Sequence, residues 1–78
     1  MKAEDIQQCL ARGFPGARIA VADSTGTGDH FSVGVVSPAF QGKTLVERHQ
    51  LVYAALATLM PQIHALQLRT TTPEEPNR

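Results

Sequence analysis

Apolar positions change period several times along the chain, and each change marks an element. Ile6, Cys9 and Leu10 fall at i, i+3 and i+4, which predicts one apolar stripe on a helix from about Lys2 to Arg12. Gly13 stops it and Pro15-Gly16 makes a turn. From Ala17 to Asp23 the period is two, with Ile19 and Val21 on one face and Arg18 and Ala20 on the other, the pattern of a strand. The run from Ser24 to Asp29, with Gly26 and Gly28, is a loop by composition. Phe31, Val33 and Val35 then place a second strand from about His30 to Ser37, and the two strands form a hairpin. Pro38 to Lys43, carrying Phe40, reads as a turn or one extra short helix. A second helix is predicted from about Thr44 to Leu59, opened by a Thr44–Glu47 capping box and stopped by Pro61. Its buried stripe is Leu45, Val52, Leu56 and Leu59. Ile63 to Thr71 alternates again, with His64, Leu66 and Leu68 opposite Ala65, Gln67 and Arg69, which predicts the third strand.

The expected architecture is therefore a mixed α/β (α+β) fold of order α-β-β-α-β. A three-stranded sheet covered on one face by helices buries all these stripes together. A chain of 78 residues has room for one domain, assigned to residues 1–72, followed by a flexible tail at 73–78. At this size only ~60% of the unfolded surface is buried, which argues against an enzyme with a deep, walled active site.

Charge narrows the partners. Seven Lys+Arg balance seven Asp+Glu, so there is no basic stripe of the kind that non-specific nucleic-acid binding rests on. The nearest approach to a patch is Lys43 with Arg48, and Glu47 lies between them. The single cysteine, Cys9, excludes an internal disulfide framework and any all-cysteine metal site. The N-terminal segment lacks the apolar run of a signal peptide, and no stretch is long enough to span a membrane. A cytoplasmic protein without membrane association, monomeric or weakly homodimeric when alone, is the expectation.

Candidate chemistry rests on three histidines. His30 starts the second strand beside the Gly-rich loop, where it reads either as an exposed or capping residue or as a metal ligand at a loop edge. His49 shares the apolar face of the second helix and reads as a packed, hydrogen-bonded histidine at the edge of the core. His64 opens the third strand, either half-buried at the sheet end or presented there as a ligand. Cys9 lies on an apolar stripe and reads as structural. Asp23, Ser24 and His30 are residue types of a hydrolytic triad but lack a nucleophile elbow, and carboxylate pairs occur only near the chain ends. Gly13-Phe14-Pro15-Gly16 has the letters of a nucleic-acid-clamping G-x-x-G loop but leads from helix to strand, so it reads as a turn. Three histidines without tight ligand spacing, and one thiol, imply that any metal site completes its coordination from another molecule.

One set of motifs is specific when taken together: His30-Phe31-Ser32-Val33, Ser37-Pro38-Ala39-Phe40-Gln41-Gly42-Lys43, Arg48-His49-Gln50-Leu51-Val52-Tyr53, Ile63-His64-Ala65-Leu66 and Thr71-Thr72-Pro73-Glu74. In order and spacing they resemble the BolA family, particularly its short bacterial members, over nearly the whole chain. The resemblance implies a KH-like fold of the second type and no catalysis. It implies a non-enzymatic partner of monothiol glutaredoxins that shares a bridging [2Fe–2S] cluster, in iron–sulfur cluster trafficking or in iron and redox sensing. The partner brings a cysteine and a bound glutathione thiolate. This chain brings His64 as a metal ligand, with His30 the candidate for a second from the hairpin loop, where Thr27 and Asp29 also stand near the usual ligand slot. An alternative comes from the same resemblance: a KH-like, DNA-binding transcriptional regulator of stress response and cell morphology, with Lys43 and Arg48 as its contacts. Where family members continue into an aromatic residue and a further helix after Pro73-Glu74, Glu75-Pro76 interrupts the pattern here.

Overall fold

The apolar stripe of the first segment goes to the interior. In the computed structural model, which describes residues 1–75, helix α1 spans Ala3–Gly13 and both Ile6 and Leu10 are completely buried. Glu4 and Asp5 lie in its first turn and Arg12 in its last, each matched to the partial charge of that helix end. The Asp5 carboxylate also accepts the backbone N–H of Lys2 at 2.9 Å.

Strands β1 (Arg18–Asp23) and β2 (His30–Val36) form the expected antiparallel hairpin, with Ile19 opposite Val35 and Val21 opposite Val33. Strand β3 (Ala65–Thr71) lies on the other side of β2 and parallel to it, with Phe31 beside Leu66 and Val33 beside Leu68. Parallel neighbours need a crossover. Helix α2 (Leu45–Ala55) supplies it, flanked by 3₁₀ turns at Pro38–Phe40 and Met60–Gln62. The sheet order is thus β1-β2-β3. Central β2 sends Phe31, Val33 and Val35 into a core shared with Ile6, Leu10, Val52 and Leu56. Both helices cover that face, and the opposite face, with Arg18, Ala20, Gln67 and Arg69 exposed, is open. The mixed α+β architecture inferred from the sequence is the one observed.

The helices meet closely. A Cβ built on Gly13 would stand 3.0 Å from the Ala55 Cβ. The Cys9 thiol donates to the Ala55 carbonyl at 3.1 Å, so this cysteine serves helix packing. The Thr44–Glu47 capping box is formed: Thr44 N–H donates to Glu47 Oε1 at 2.8 Å, and Glu47 N–H donates to Thr44 Oγ1 at 3.2 Å.

Most element ends fall within a residue of expectation, and the larger departures are at α2, β3 and the C-terminus. Helix α2 ends at Ala55, not Leu59. Its hydrogen bonds tighten there, with Leu56 N–H shared between the Val52 and Tyr53 carbonyls and Ala57 N–H turned to the Ala54 carbonyl, a 3₁₀-type ending. Leu45, expected in the buried stripe, is 61% exposed. It is the first helical residue, and helical side chains lean toward the N-terminus, so it projects beyond the sheet. Strand β3 begins at Ala65, leaving Ile63 buried and His64 exposed just ahead of it. At the C-terminus, the expected flexible tail from residue 73 begins as a turn at Pro73–Glu75 that Glu75 ties back to the domain. Residues 76–78 lie outside the described residues.

Candidate functional site

The β1–β2 loop is built around Asp23. Its carboxylate accepts the backbone N–H groups of Thr25, Gly26 and Gly28 at 3.3, 2.9 and 2.9 Å. Gly26 and Gly28 have φ of 76° and 79°, a backbone region that side chains disfavour. Gly28 also lies directly against the Met1 backbone, where an added Cβ would be 2.9 Å from the Met1 carbonyl oxygen. Ser24 N–H donates to the His30 carbonyl at 2.8 Å and closes the base of the hairpin.

Asp29 ties this loop to two of the histidines. Its side chain accepts from the Thr27 hydroxyl. The same oxygen lies 2.8 Å from His30 Nδ1. Its backbone carbonyl accepts from both His64 N–H at 2.8 Å and Ala65 N–H at 3.1 Å. The Thr27 hydroxyl first, and the His30 ring second, hold the Asp29 carboxyl below the usual carboxylate range. One residue therefore fixes the His30 ring by its carboxylate and the approach of His64 by its main chain. The outcome is a pair of imidazoles with ring centroids 5.0 Å apart and planes inclined by 50°. The His30 side chain is 35% exposed and His64 is exposed, so both rings reach solvent at one rim of the sheet.

This arrangement suits metal ligation more than proton transfer. A histidine whose Nδ1–H is held by a carboxylate presents Nε2 as its free donor, the pattern that orients imidazole ligands in metal sites. Thr27 and Asp29, also candidates from the sequence, are instead bonded to each other, and Asp29 acts on His30 from behind. Among the described residues no three His, Cys, Asp or Glu side chains converge to hold an ion. The chain thus offers two nitrogen donors, and further ligands have to come from outside. His49 does not join the pair. It sits packed on α2 as expected, but its Nε2 is buried without a hydrogen-bond partner among the described residues, so the hydrogen bond expected of it is not formed. The triad types are not assembled: Asp23 is engaged by loop amides, and the Ser24 hydroxyl lies 3.2 Å from that of Ser32.

Lys43 and Arg48 do not form a free basic patch. Arg48 grips Glu75 with two parallel bonds of 2.7 and 2.8 Å. It also donates to the Lys43 carbonyl at 3.0 Å and to the Thr70 carbonyl at 3.3 Å. Arg48, then the Thr72 backbone N–H, lowers the Glu75 carboxyl to about 2. Arg48 therefore clasps the start of α2 to the chain leaving β3, while Lys43 is exposed. No local sequence pattern signals this clasp, because the partners are far apart along the chain.

A family model described as BolA-like protein matches residues 15–75. The chain is 39% identical to BolA-like protein 2 of Homo sapiens over 77 residues, spanning 96% of this chain and 90% of that one. It is 34% identical over 83 residues to the DNA-binding transcriptional regulator BolA of Escherichia coli, spanning 96% of this chain and 79% of the relative. Among solved structures, BolA1 from Arabidopsis thaliana superposes with a TM-score of 0.84 at 31% identity, over 95% of each chain.

Proposed function

The chain belongs to the BolA-like family, and from that premise we propose that it is a non-enzymatic partner of a monothiol glutaredoxin, sharing a [2Fe–2S] cluster with it. The observation that carries this reading is the His30–His64 pair organised by Asp29. The donor set fits: two imidazole nitrogens can serve one iron, while the thiolates that this rim lacks come from the partner's cysteine and from glutathione. Bound there, the cluster supplies electron-transfer and iron–sulfur-transfer chemistry. His64 is the exposed ligand, His30 the second, and Asp29 holds the His30 ring with Nε2 outward. Neutral imidazoles in place of thiolates reduce the negative charge around the iron and raise its potential. They also make the bond sensitive to mild acid, because a protonated imidazole no longer ligates.

A compartment that keeps thiols reduced, such as the cytoplasm, is the setting this reading requires. No helix among the described residues is long and apolar enough to cross a membrane. The decisive test mixes the chain with a [2Fe–2S]-loaded monothiol glutaredoxin and follows visible circular dichroism. A new spectrum that His64→Ala abolishes and His30→Ala alters is the expected result. An unchanged spectrum in folded His64→Ala would remove the ligand assignment.

The name of the Escherichia coli relative favours a second reading, a DNA-binding regulator. Its contacts here would be Lys43 and Arg48. The engagement of Arg48 by Glu75 leaves Lys43 as the exposed cation of the two, which makes this the weaker reading. Fluorescence anisotropy with a DNA duplex at low salt separates the two: salt-dependent binding lost in Lys43→Ala would favour the regulator.

A further inference from the structure

The open face of the sheet carries a feature that the histidine rim does not use. Gly34 stands at the centre of β2, the central strand, paired with Ala20 on one side and Arg69 on the other. A strand-centre glycine weakens a strand and is found where there is a bulge, a sharp bend or a close approach of another molecule. The first two causes are absent, since register runs unbroken through Gly34 on both sides and its φ is not positive. Among the described residues nothing approaches it: a Cβ built on Gly34 meets no atom within 4 Å.

Two arginines flank this depression. Arg69 lies beside Gly34 on β3, and Arg18 lies on β1 opposite Val36, the next outward residue of β2. Both are exposed and both line the same shallow concavity. Among the described residues neither side chain makes a hydrogen bond or an ion pair, in contrast to Arg48. The alternation of the strands places no acidic residue on this outward face.

We propose that this face docks an extended acidic segment of a partner polypeptide, with backbone or a small side chain seated over Gly34 and carboxylates on Arg18 and Arg69. Two strand spacings across and two residues along put the arginine Cα atoms ~12 Å apart. That separation matches carboxylates four residues apart, which share one face of an extended chain at ~3.3 Å per residue. Arginine's planar fork suits paired recognition of carboxylate oxygens. A nucleic acid is the poorer fit. The face has no Phe, Tyr or Trp for bases to stack on, only the His30 ring at its rim, and two cations neutralise few phosphates. A second copy of this chain also fits poorly. The acidic pairs Glu4-Asp5 and Glu74-Glu75 are adjacent in sequence rather than spaced, and Asp5 and Glu75 are already engaged.

The test uses the isotopically labelled chain titrated with a hexaglutamate peptide, a hexaglutamine control and a thymidine decanucleotide, read by amide shifts. The expected result is saturable, salt-sensitive movement centred on Ala20, Gly34 and Arg69 with hexaglutamate alone, leaving the His64 amide in place. Arg18→Gln with Arg69→Gln should weaken it about tenfold. Gly34→Val, which suits a strand and enters open space, should keep the fold and block the seat. No saturable shift on this face with hexaglutamate overturns the proposal. So does equal or tighter binding of the decanucleotide, or undiminished binding by Gly34→Val. A concentration-dependent shift of the same amides without any peptide, removed by the arginine substitutions, would assign the face to self-association instead and overturn it as well.

Discussion

Gly28 and Gly26 have nearly the same backbone conformation but different neighbours, so alanine at each separates two effects. At φ of 76° and 79° either alanine enters the left-handed region, which costs about 1–2 kcal/mol. For a domain of this size that corresponds to a fall of about 4–8 °C in melting temperature for each kcal/mol. Gly26→Ala stops there, because its new Cβ meets nothing within 4 Å. Gly28→Ala also brings a methyl to 2.9 Å from the Met1 carbonyl oxygen, a backbone atom that cannot rotate away. Forcing such overpacking costs about 1–3 kcal/mol more. Urea unfolding at neutral pH, with the slope m compared between variants, measures the difference. Gly28→Ala should unfold at distinctly lower urea than Gly26→Ala, and its His30 and His64 amide signals should move while those of Gly26→Ala change less. Equal midpoints would show that the contact with Met1 places no constraint on the loop.

The clasp predicts a pH dependence. Because Arg48 lowers Glu75 from 4.5 to about 2, the stabilisation from its ionised form is complete above its unfolded value and is lost as pH falls toward about 2. Urea midpoints of the unsubstituted chain and Glu75→Gln should therefore differ at pH 6 and converge as pH approaches 2; a gap that stays constant would contradict the pairing. For the histidine rim, Asp29→Asn should preserve the fold while loosening His30. Long-range proton–nitrogen spectra should then show a smaller share of the Nδ1–H tautomer, and an unaltered tautomer ratio would mean that Asp29 does not orient the ring.

Local patterns carried most of the architecture. The alternation of Phe31, Val33 and Val35 marks the central strand because that face is buried, and the Thr44–Glu47 box marks a helix start because both reciprocal bonds form within one turn. Leu45 misled for a related reason: periodicity assigns a face but does not say where along the helix the sheet ends. The site was legible in its residue types and not in its geometry. His30 and His64 come together only because β3 pairs in parallel with β2, a long-range register that no local spacing encodes. Asp29 reads as a potential ligand in a polar loop, whereas it positions both rings, His30 through its carboxylate and the approach of His64 through its carbonyl, and backbone contacts leave no trace in composition. Arg48 was legible as a basic residue near Lys43, but its charge is committed to Glu75 across the fold.

That parallel register makes the two imidazoles a property of the folded state alone. In the unfolded chain the whole crossover through α2 separates them, and bringing them together carries the loop-closure entropy of that segment. A species held by both rings therefore binds the native chain preferentially and raises its stability with the logarithm of its concentration. The same linkage runs backwards. Loosening α2 anywhere along its length, even at Cys9 and Ala55 where the two helices touch, dilutes the binding-competent population and weakens capture at a rim that those residues never contact. Helix packing on one side of the sheet thus acts as a setting for the affinity of the histidine pair at its end.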